Sequence, residues 1–142
     1  MKVWTNGCFD ILHRGHIELF RYAKLLGDEL VVGIDTDEKV KLDKGKNRPI
    51  NNLQDRMYML QSIKYIDKVI PFDSTEELDS TIKWYRPDIM VIGADWKGKK
   101  VIGDFWTKKL VFFDRVGNYS TTNLYTTFKG SQVWVKENTY LH

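Results

Sequence analysis

Apolar positions along this chain fall in short continuous runs that alternate with stretches of helical period. Val3-Trp4-Thr5, Glu29 to Ile34, Lys68-Val69-Ile70, Ile89 to Gly93 and Leu110 to Phe113 have the length and near-unbroken apolarity of strands buried on both faces. Pro71 is expected to end the third of them. Ile17, Leu19, Phe20, Ala23, Leu25 and Leu26 recur at helical spacing, which predicts a helix from about Arg14 to Leu26 that stops at Gly27. A second helix is expected over Leu53 to Ile63, with apolar residues at 53, 57, 60 and 63 and Asn52 as its cap. Ser74 and Glu77, spaced as a capping box, open a third that runs to about Tyr85 and is broken by Arg86-Pro87-Asp88. Ser120 is expected to cap a last helix through Phe128.

Two segments carry no period. Asp35 to Asn52 is polar and lysine-rich and predicts a mobile loop holding no more than a short turn, while Ala94 to Gly103 reads as a Gly/Lys-rich loop. In the tail, Lys129 to His142, Val133 and Val135 alternate with polar residues, as in an edge strand or a subunit contact. Strands alternating with helices predict one domain over residues 1–128 with the tail at 129–142. The expected class is α/β: a Rossmann-like, doubly wound, parallel five-stranded sheet with helices on both faces. Such sheets place ligands beyond the carboxyl ends of their strands, here the loops after Thr5, Ile34, Ile92 and Phe113.

Composition narrows the class of function. A chain of 142 residues can bury a core without disulfide staples, and its only cysteine, Cys8, fits a reducing compartment. Met1-Lys2 leads straight into strand residues, and no apolar run reaches membrane-spanning length, so residence in the cytoplasm and no membrane partner are expected. The net charge of +3 would help attract a triphosphate. The one basic cluster, Lys39, Lys41, Lys44, Lys46 and Arg48, is short and lacks interleaved aromatic residues, which argues against nucleic acid as a partner.

Chemistry concentrates in Thr5 to His16, which joins the first strand to the first helix. Gly7 permits close backbone approach, and the first helical amides offer unpaired donors with a partial positive charge, so an anion is the natural occupant. Strand–Gly–helix turns also occur where nothing binds. His13 and His16, three residues apart, project from one side of the first turn and would donate hydrogen bonds to phosphate oxygens. A metal site built from Cys8, His13 and His16 is disfavoured, because no second cysteine or Cys-x-x-Cys accompanies them. Cys8 and Phe9 would cradle phosphates through their amides, and Gly15 leaves room between the imidazoles. Asp10 would either help position Mg²⁺ or bond loop amides.

Gly7-Cys8-Phe9-Asp10 followed by His13-Arg14-Gly15-His16 resembles the G-x-F-D…H-x-G-H signature of the nucleotidyltransferase superfamily that includes the cytidylyltransferases. The resemblance extends to about Tyr125 and implies transfer of a nucleoside monophosphate from an NTP, accompanied by Mg²⁺, to a small phosphorylated sugar or polyol, with release of pyrophosphate. It assigns the two histidines to the α-phosphate and a lysine of the second loop to the triphosphate tail; Lys44 or Lys46 is favoured over Lys41. Arg48 to Met57 resembles the R-P-x-N-x-x-x-R-M segment of ADP-heptose synthase nucleotidyltransferase domains. Arg56 there is expected to reach the acceptor or the phosphates, with pairing to Asp55 or Glu18 as the alternative.

Gly93-Ala94-Asp95-Trp96 resembles G-x-D-[YW], which assigns Asp95 and Trp96 to the nucleotide. Arg115 and Ser120-Thr121-Thr122 resemble R-T-x-G-x-S-T-T, a second phosphate grip, although the glycine stands one residue early at 117. Thr-Asn-Gly-Cys-Phe-Asp, Arg-Pro-Ile-Asn and Val101-Ile102-Gly103 resemble the ATP-using ADP-heptose synthase domain. Ala94-Asp95-Trp96 and Arg115 resemble the CTP-using glycerol-3-phosphate cytidylyltransferase. The lean is to ATP and heptose 1-phosphate, and relatives imply a homodimer. A nucleotide-binding regulator without turnover is the alternative of another class, opposed by the intact motif positions.

Overall fold

Six strands form one sheet in the order β3-β2-β1-β4-β5-β6, and a computed structural model describes residues 1–114 and 133–137 of the chain. The elements are β1 (Lys2–Gly7), α1 (Arg14–Leu25), β2 (Glu29–Asp35), α2 (Asp37–Lys44), α3 (Leu53–Gln61), β3 (Lys68–Phe72), α4 (Thr75–Tyr85), β4 (Ile89–Gly93), β5 (Lys109–Phe113) and β6 (Val133–Glu137). Short 3₁₀ turns at Ala94–Trp96 and Asp104–Trp106 lie between β4 and β5. The first five strands are parallel, as expected, and β6 adds an antiparallel edge with Phe113 opposite Val133. Residues 133–137 of the tail form this edge strand. The expected helix from Ser120 to Phe128 falls outside the described residues.

Successive strand residues face opposite layers, which explains the continuous apolar runs. Val3, Leu30, Val32, Val91 and Val111 pack with Phe20 of α1 and Leu60 of α3, whereas Trp4, Val31, Met90, Leu110 and Phe112 pack with Leu78 and Ile82 of α4. Gly33 makes room for the indole of Trp4: a Cβ there would lie 2.5 Å from Cζ2. Trp4 is fully buried, and its Nε1 donates to Asn6 Oδ1 at 2.9 Å.

Four local expectations change. The segment after Asp35 is no loop but begins with α2, capped by the Thr36 hydroxyl, which accepts from the Lys39 amide at 3.3 Å. Asp37 and Glu38 at its start, and Lys41 and Lys44 at its end, complement the helix dipole. Strand β3 continues through Pro71 to Phe72, because β3 is the sheet edge and a missing N–H is tolerated on its outer side. α3 ends at Gln61, two residues short of Ile63. The Ser74 cap holds, accepting from the Glu77 amide at 3.0 Å, but the Glu77 carboxylate reaches the amide of Asp73, not that of Ser74.

The sheet opens where its strand order reverses. β1 pairs with β2 over its whole length, from Lys2–Glu29 to Gly7–Ile34. With β4 it pairs only at Val3–Ile89 and Trp4–Met90, so the carboxyl halves of β1 and β4 part. The crevice lies at this switch point.

Candidate active site

The chain leaves β1 through a turn whose strain is held by packing. Phe9 takes φ +48°, a left-handed conformation costly for a bulky residue. Its buried ring fixes that conformation, meeting the rings of Phe20 and His16 edge-on at centroid distances of 5.1 and 5.6 Å. Gly7 lies against this ring, where a Cβ would sit 3.1 Å from Cζ.

The two histidines cap α1 reciprocally. His13, extended at φ −136°, is the N-cap; its Nδ1 accepts from the Gly15 amide at 3.0 Å, while His16 Nδ1 accepts from the His13 amide at 3.2 Å. This is a capping box in which imidazoles replace the usual hydroxyl and carboxylate. An Nδ1 that accepts carries no proton, so the network places the N–H of each neutral ring on Nε2. The rings stack at 3.9 Å between centroids and 31° between planes, and Gly15 is buried in the turn that connects them. Two Nε2 donors are thereby held side by side above the positive end of a helix.

Asp10 is absorbed by the loop before α3. Its Oδ2 accepts from the Ile50 amide at 2.8 Å and from Arg48 Nε at 3.2 Å, and its Oδ1 accepts from the Asn51 amide at 2.9 Å. Asn51 Nδ2 also donates to the Asp10 carbonyl at 2.8 Å. Burial alone would push this carboxyl up, but the Asn51 and Ile50 amides and the Arg48 guanidinium outweigh it and hold the group below the usual carboxylate range. Of its two expected roles, Asp10 takes the bonding of loop amides.

Arg56 is a correction. The expectation that it reaches acceptor or phosphates fails, because its side chain is fully buried and its donors are committed. Nη1 donates to the carbonyls of Cys8 (3.0 Å) and Asp35 (2.7 Å), Nε to that of Asn51 (2.9 Å), and Nη2 to Asp37 Oδ1 (2.6 Å). Its ion-pair partner is Asp37, where Asp55 or Glu18 was expected. One guanidinium thus ties the turns after β1 and β2 and the start of α3 together.

A cavity of about 880 Å³ opens in the crevice, within the range of small-molecule sites. Gly7, Cys8, Phe9, Asp10, His13, His16, Lys44, Asp95 and Trp96 all border it, so most of the residues expected at the site are brought together. Gly15 sits behind the imidazoles and Lys46 lies outside the lining, exposed beyond α2; Lys41 is likewise exposed on α2 and outside it. Arg115, Ser120, Thr121 and Thr122 fall outside the described residues. Burial pushes the Cys8 thiol up despite the charges of Lys44 and Arg56, so it is a poor nucleophile at neutral pH. Gly93 lets Asp95 fold back over the end of β4, where a Cβ would come within 2.6 Å of Oδ1. Trp96 is 46% exposed at the cavity mouth, with Lys99 Nζ 5.9 Å from its ring centroid.

Asp35, Lys39 and Asp43 also border the cavity, and sequence reasoning did not single them out for the site. Lys39 and Asp43, four residues apart on α2, pair at 2.7 Å, and Asp35 Oδ1 lies 3.8 Å from Lys39 Nζ. Burial pushes the Asp35 carboxyl up, more than the Lys39 charge lowers it. For Lys39, burial opposes the charged form but is outweighed by Asp43 and Asp35, so its pKa is raised. The only available signal was the i, i+4 charge spacing, which many solvated helices share.

Among the described residues, no group of three or more His, Cys, Asp or Glu is placed to hold a metal ion, and no helix is long and apolar enough to cross a membrane. Both oxygens of Asp10 already accept hydrogen bonds from the protein, which fits a divalent cation carried in on the phosphates better than one seated on this carboxylate.

Comparison with known proteins agrees with this geometry. The cytidylyltransferase-like family profile matches residues 4–129. The bifunctional protein HldE of Campylobacter fetus subsp. fetus is 48% identical over 128 residues, covering 90% of this chain and 28% of that protein. The HldE of Helicobacter hepaticus is 40% identical over 131 residues, covering 92% and 27%. The chain therefore spans little more than a quarter of the length of these curated relatives. A lipopolysaccharide core biosynthesis protein from Thermoplasma volcanium GSS1 superposes with a TM-score of 0.60 at 35% identity, over 67% of this chain and 75% of the other. With the paired histidines at the crevice and a profile spanning nearly the whole chain, the protein belongs to the cytidylyltransferase-like family of nucleotidyltransferases.

Proposed function

We propose that this chain transfers a nucleoside monophosphate, AMP from ATP in the favoured reading, to a phosphorylated sugar such as heptose 1-phosphate, releasing pyrophosphate. The observation that carries the proposal is the reciprocal cap, which fixes two Nε2 donors over one end of the cavity. In the reaction an acceptor phosphate oxygen attacks the α-phosphorus of the triphosphate in line with departing pyrophosphate. The acceptor is already ionised, so no general base is required, and catalysis reduces to positioning and charge stabilisation. His13 and His16 donate to the α-phosphate oxygens as negative charge builds there, with rings that need no reorganisation. Lys44, on the cavity rim, neutralises the leaving pyrophosphate. Mg²⁺ enters with the triphosphate as part of the substrate, and Trp96 offers a stacking face for the base.

ATP and heptose 1-phosphate are favoured by the likeness to HldE and by the Arg48-Pro49-Ile50-Asn51 segment, whose Ile50 and Asn51 amides lock Asp10. The Ala94-Asp95-Trp96 turn beside the cavity supports a second reading, CTP with glycerol 3-phosphate. The test is pyrophosphate release with each of the four nucleoside triphosphates against heptose 1-phosphate, glycerol 3-phosphate and other sugar and polyol phosphates. Release with ATP and heptose 1-phosphate alone is the expected result. Nucleotide binding without release from any pair would identify a regulator instead.

A further inference from the structure

We infer that Asp35, with Lys39 beside it, forms a subsite that reads the vicinal hydroxyls of a substrate within the same cavity. The inference rests on the nucleotidyltransferase reading and adds the part of the ligand that the phosphate-binding residues do not address. Both substrates of that reaction are anions, so a carboxylate in the wall of their cavity is out of place as a phosphate contact. Yet Asp35 borders it, with the ammonium groups of Lys39 and Lys44 and the Asp43 carboxylate on the same wall. The phosphates are met by the two imidazoles over the start of α1 and by Lys44, which leaves the Asp35 carboxylate to another part of the ligand.

The Asp35 carboxylate also retains unused capacity. Its ion-pair partner among the described residues is Lys39 Nζ at 3.8 Å, beyond hydrogen-bonding distance, while its backbone carbonyl is the atom that Arg56 holds. A mostly buried carboxylate at the end of β2, whose nearest ion-pair partner is 3.8 Å away, can accept from a ligand hydroxyl. A carboxylate only accepts and an ammonium only donates. One hydroxyl of a diol can donate to Asp35 while its neighbour's oxygen accepts from Lys39. Lys39 is positioned for this by Asp43 at 2.7 Å and by the Phe72 ring, whose centroid lies 5.7 Å from its Nζ.

Two substrates carry such diols: the ribose of the NTP and the sugar of the acceptor. The experiment separates them by equilibrium binding, which does not require turnover. Dissociation constants are measured for ATP, for 2′-deoxy-ATP, and for heptose 1-phosphate with α,β-methylene-ATP present, in the wild type and in Asp35→Asn. A loss of roughly tenfold or more for ATP, with 2′-deoxy-ATP unchanged, places the ribose on Asp35. A similar loss confined to heptose 1-phosphate places the acceptor sugar there. Constants that all stay within twofold, or an equal loss for all three ligands, overturn the inference; the second pattern marks a merely structural carboxylate. Thermal unfolding at neutral pH checks that the variant folds, and it is expected to be no less stable than the wild type, because a buried charge has been removed. Should the wild type release no pyrophosphate yet show the discriminating pattern, the proposed reaction fails and the diol subsite stands.

Discussion

His13 has a structural role on Nδ1 and, in the proposed reaction, a chemical one on Nε2, and substitution can separate them. Nδ1 caps α1, whereas Nε2 is the donor proposed for the α-phosphate. Asparagine is among the best N-caps, so His13→Asn keeps an acceptor for the Gly15 amide and removes only the second donor. Stability should stay within about 1 kcal/mol of wild type, while turnover falls about 10²- to 10³-fold, the usual effect of deleting one donor to developing charge. Denaturant unfolding and pyrophosphate release measure the two quantities, and parallel loss of both would mean that the ring is only a cap. Asp10 makes a different prediction. Its carboxyl is held low in the folded state, so the stability it confers is present above the pKa of an unfolded aspartate and is lost as pH falls through the depressed folded value. Unfolding midpoints measured from pH 6 to pH 2 should therefore drop less steeply in Asp10→Asn than in the wild type, and identical slopes would remove Asp10 from the clamp.

The elements themselves differ in how openly the sequence announces them. β1, β2, β4 and β5 were legible because both of their faces are buried, and α1 and α4 because each carries an apolar face. α2 has no such face: Val40 is its single buried residue, and Leu42 is 85% exposed. What makes it a helix is the Thr36 cap and the charges at its ends, signals that a search for periodicity does not weigh. The turn from β1 into α1 was legible for the opposite reason, since its glycine and histidines are close together in sequence. Arg56 was misread because the segment around it shows only a cation on a helix, while its partners Cys8, Asp35 and Asp37 lie 19 to 48 residues away. Since that guanidinium joins three elements, Arg56→Met should destabilise the fold by about 3–5 kcal/mol, leaving Asp37 and three carbonyls without it. Arg56→Lys should recover less than half, because a single ammonium cannot reproduce the planar fork. Urea unfolding of both variants decides this, and full rescue by lysine would reduce the clamp to simple charge.

At the scale of the whole molecule, the cavity sits where the sheet is least tied together. The β3-β2-β1 half and the β4-β5 half join along β1 and β4 at two residue pairs, and beyond these the strands diverge. A ligand that meets His13 and His16 after β1, Lys44 after β2, and Asp95 and Trp96 after β4 spans that divergence and replaces pairing that the strands lack. It binds the folded chain alone, since no unfolded segment brings those loops together. A nucleotide at one hundred times its dissociation constant should therefore add about 2.7 kcal/mol of stability. For a chain of this size that corresponds to a rise of roughly 5–10 °C in the unfolding midpoint. The rise should be larger with Mg·ATP than with Mg·CTP at equal concentration if adenine is the preferred base, and it should shrink as salt is raised, because phosphate contacts at an open cleft are screened. Thermal unfolding in a concentration series of each nucleotide measures all three effects. A midpoint that does not move with any nucleoside triphosphate would mean that the crevice between β1 and β4 is not where the nucleotide binds.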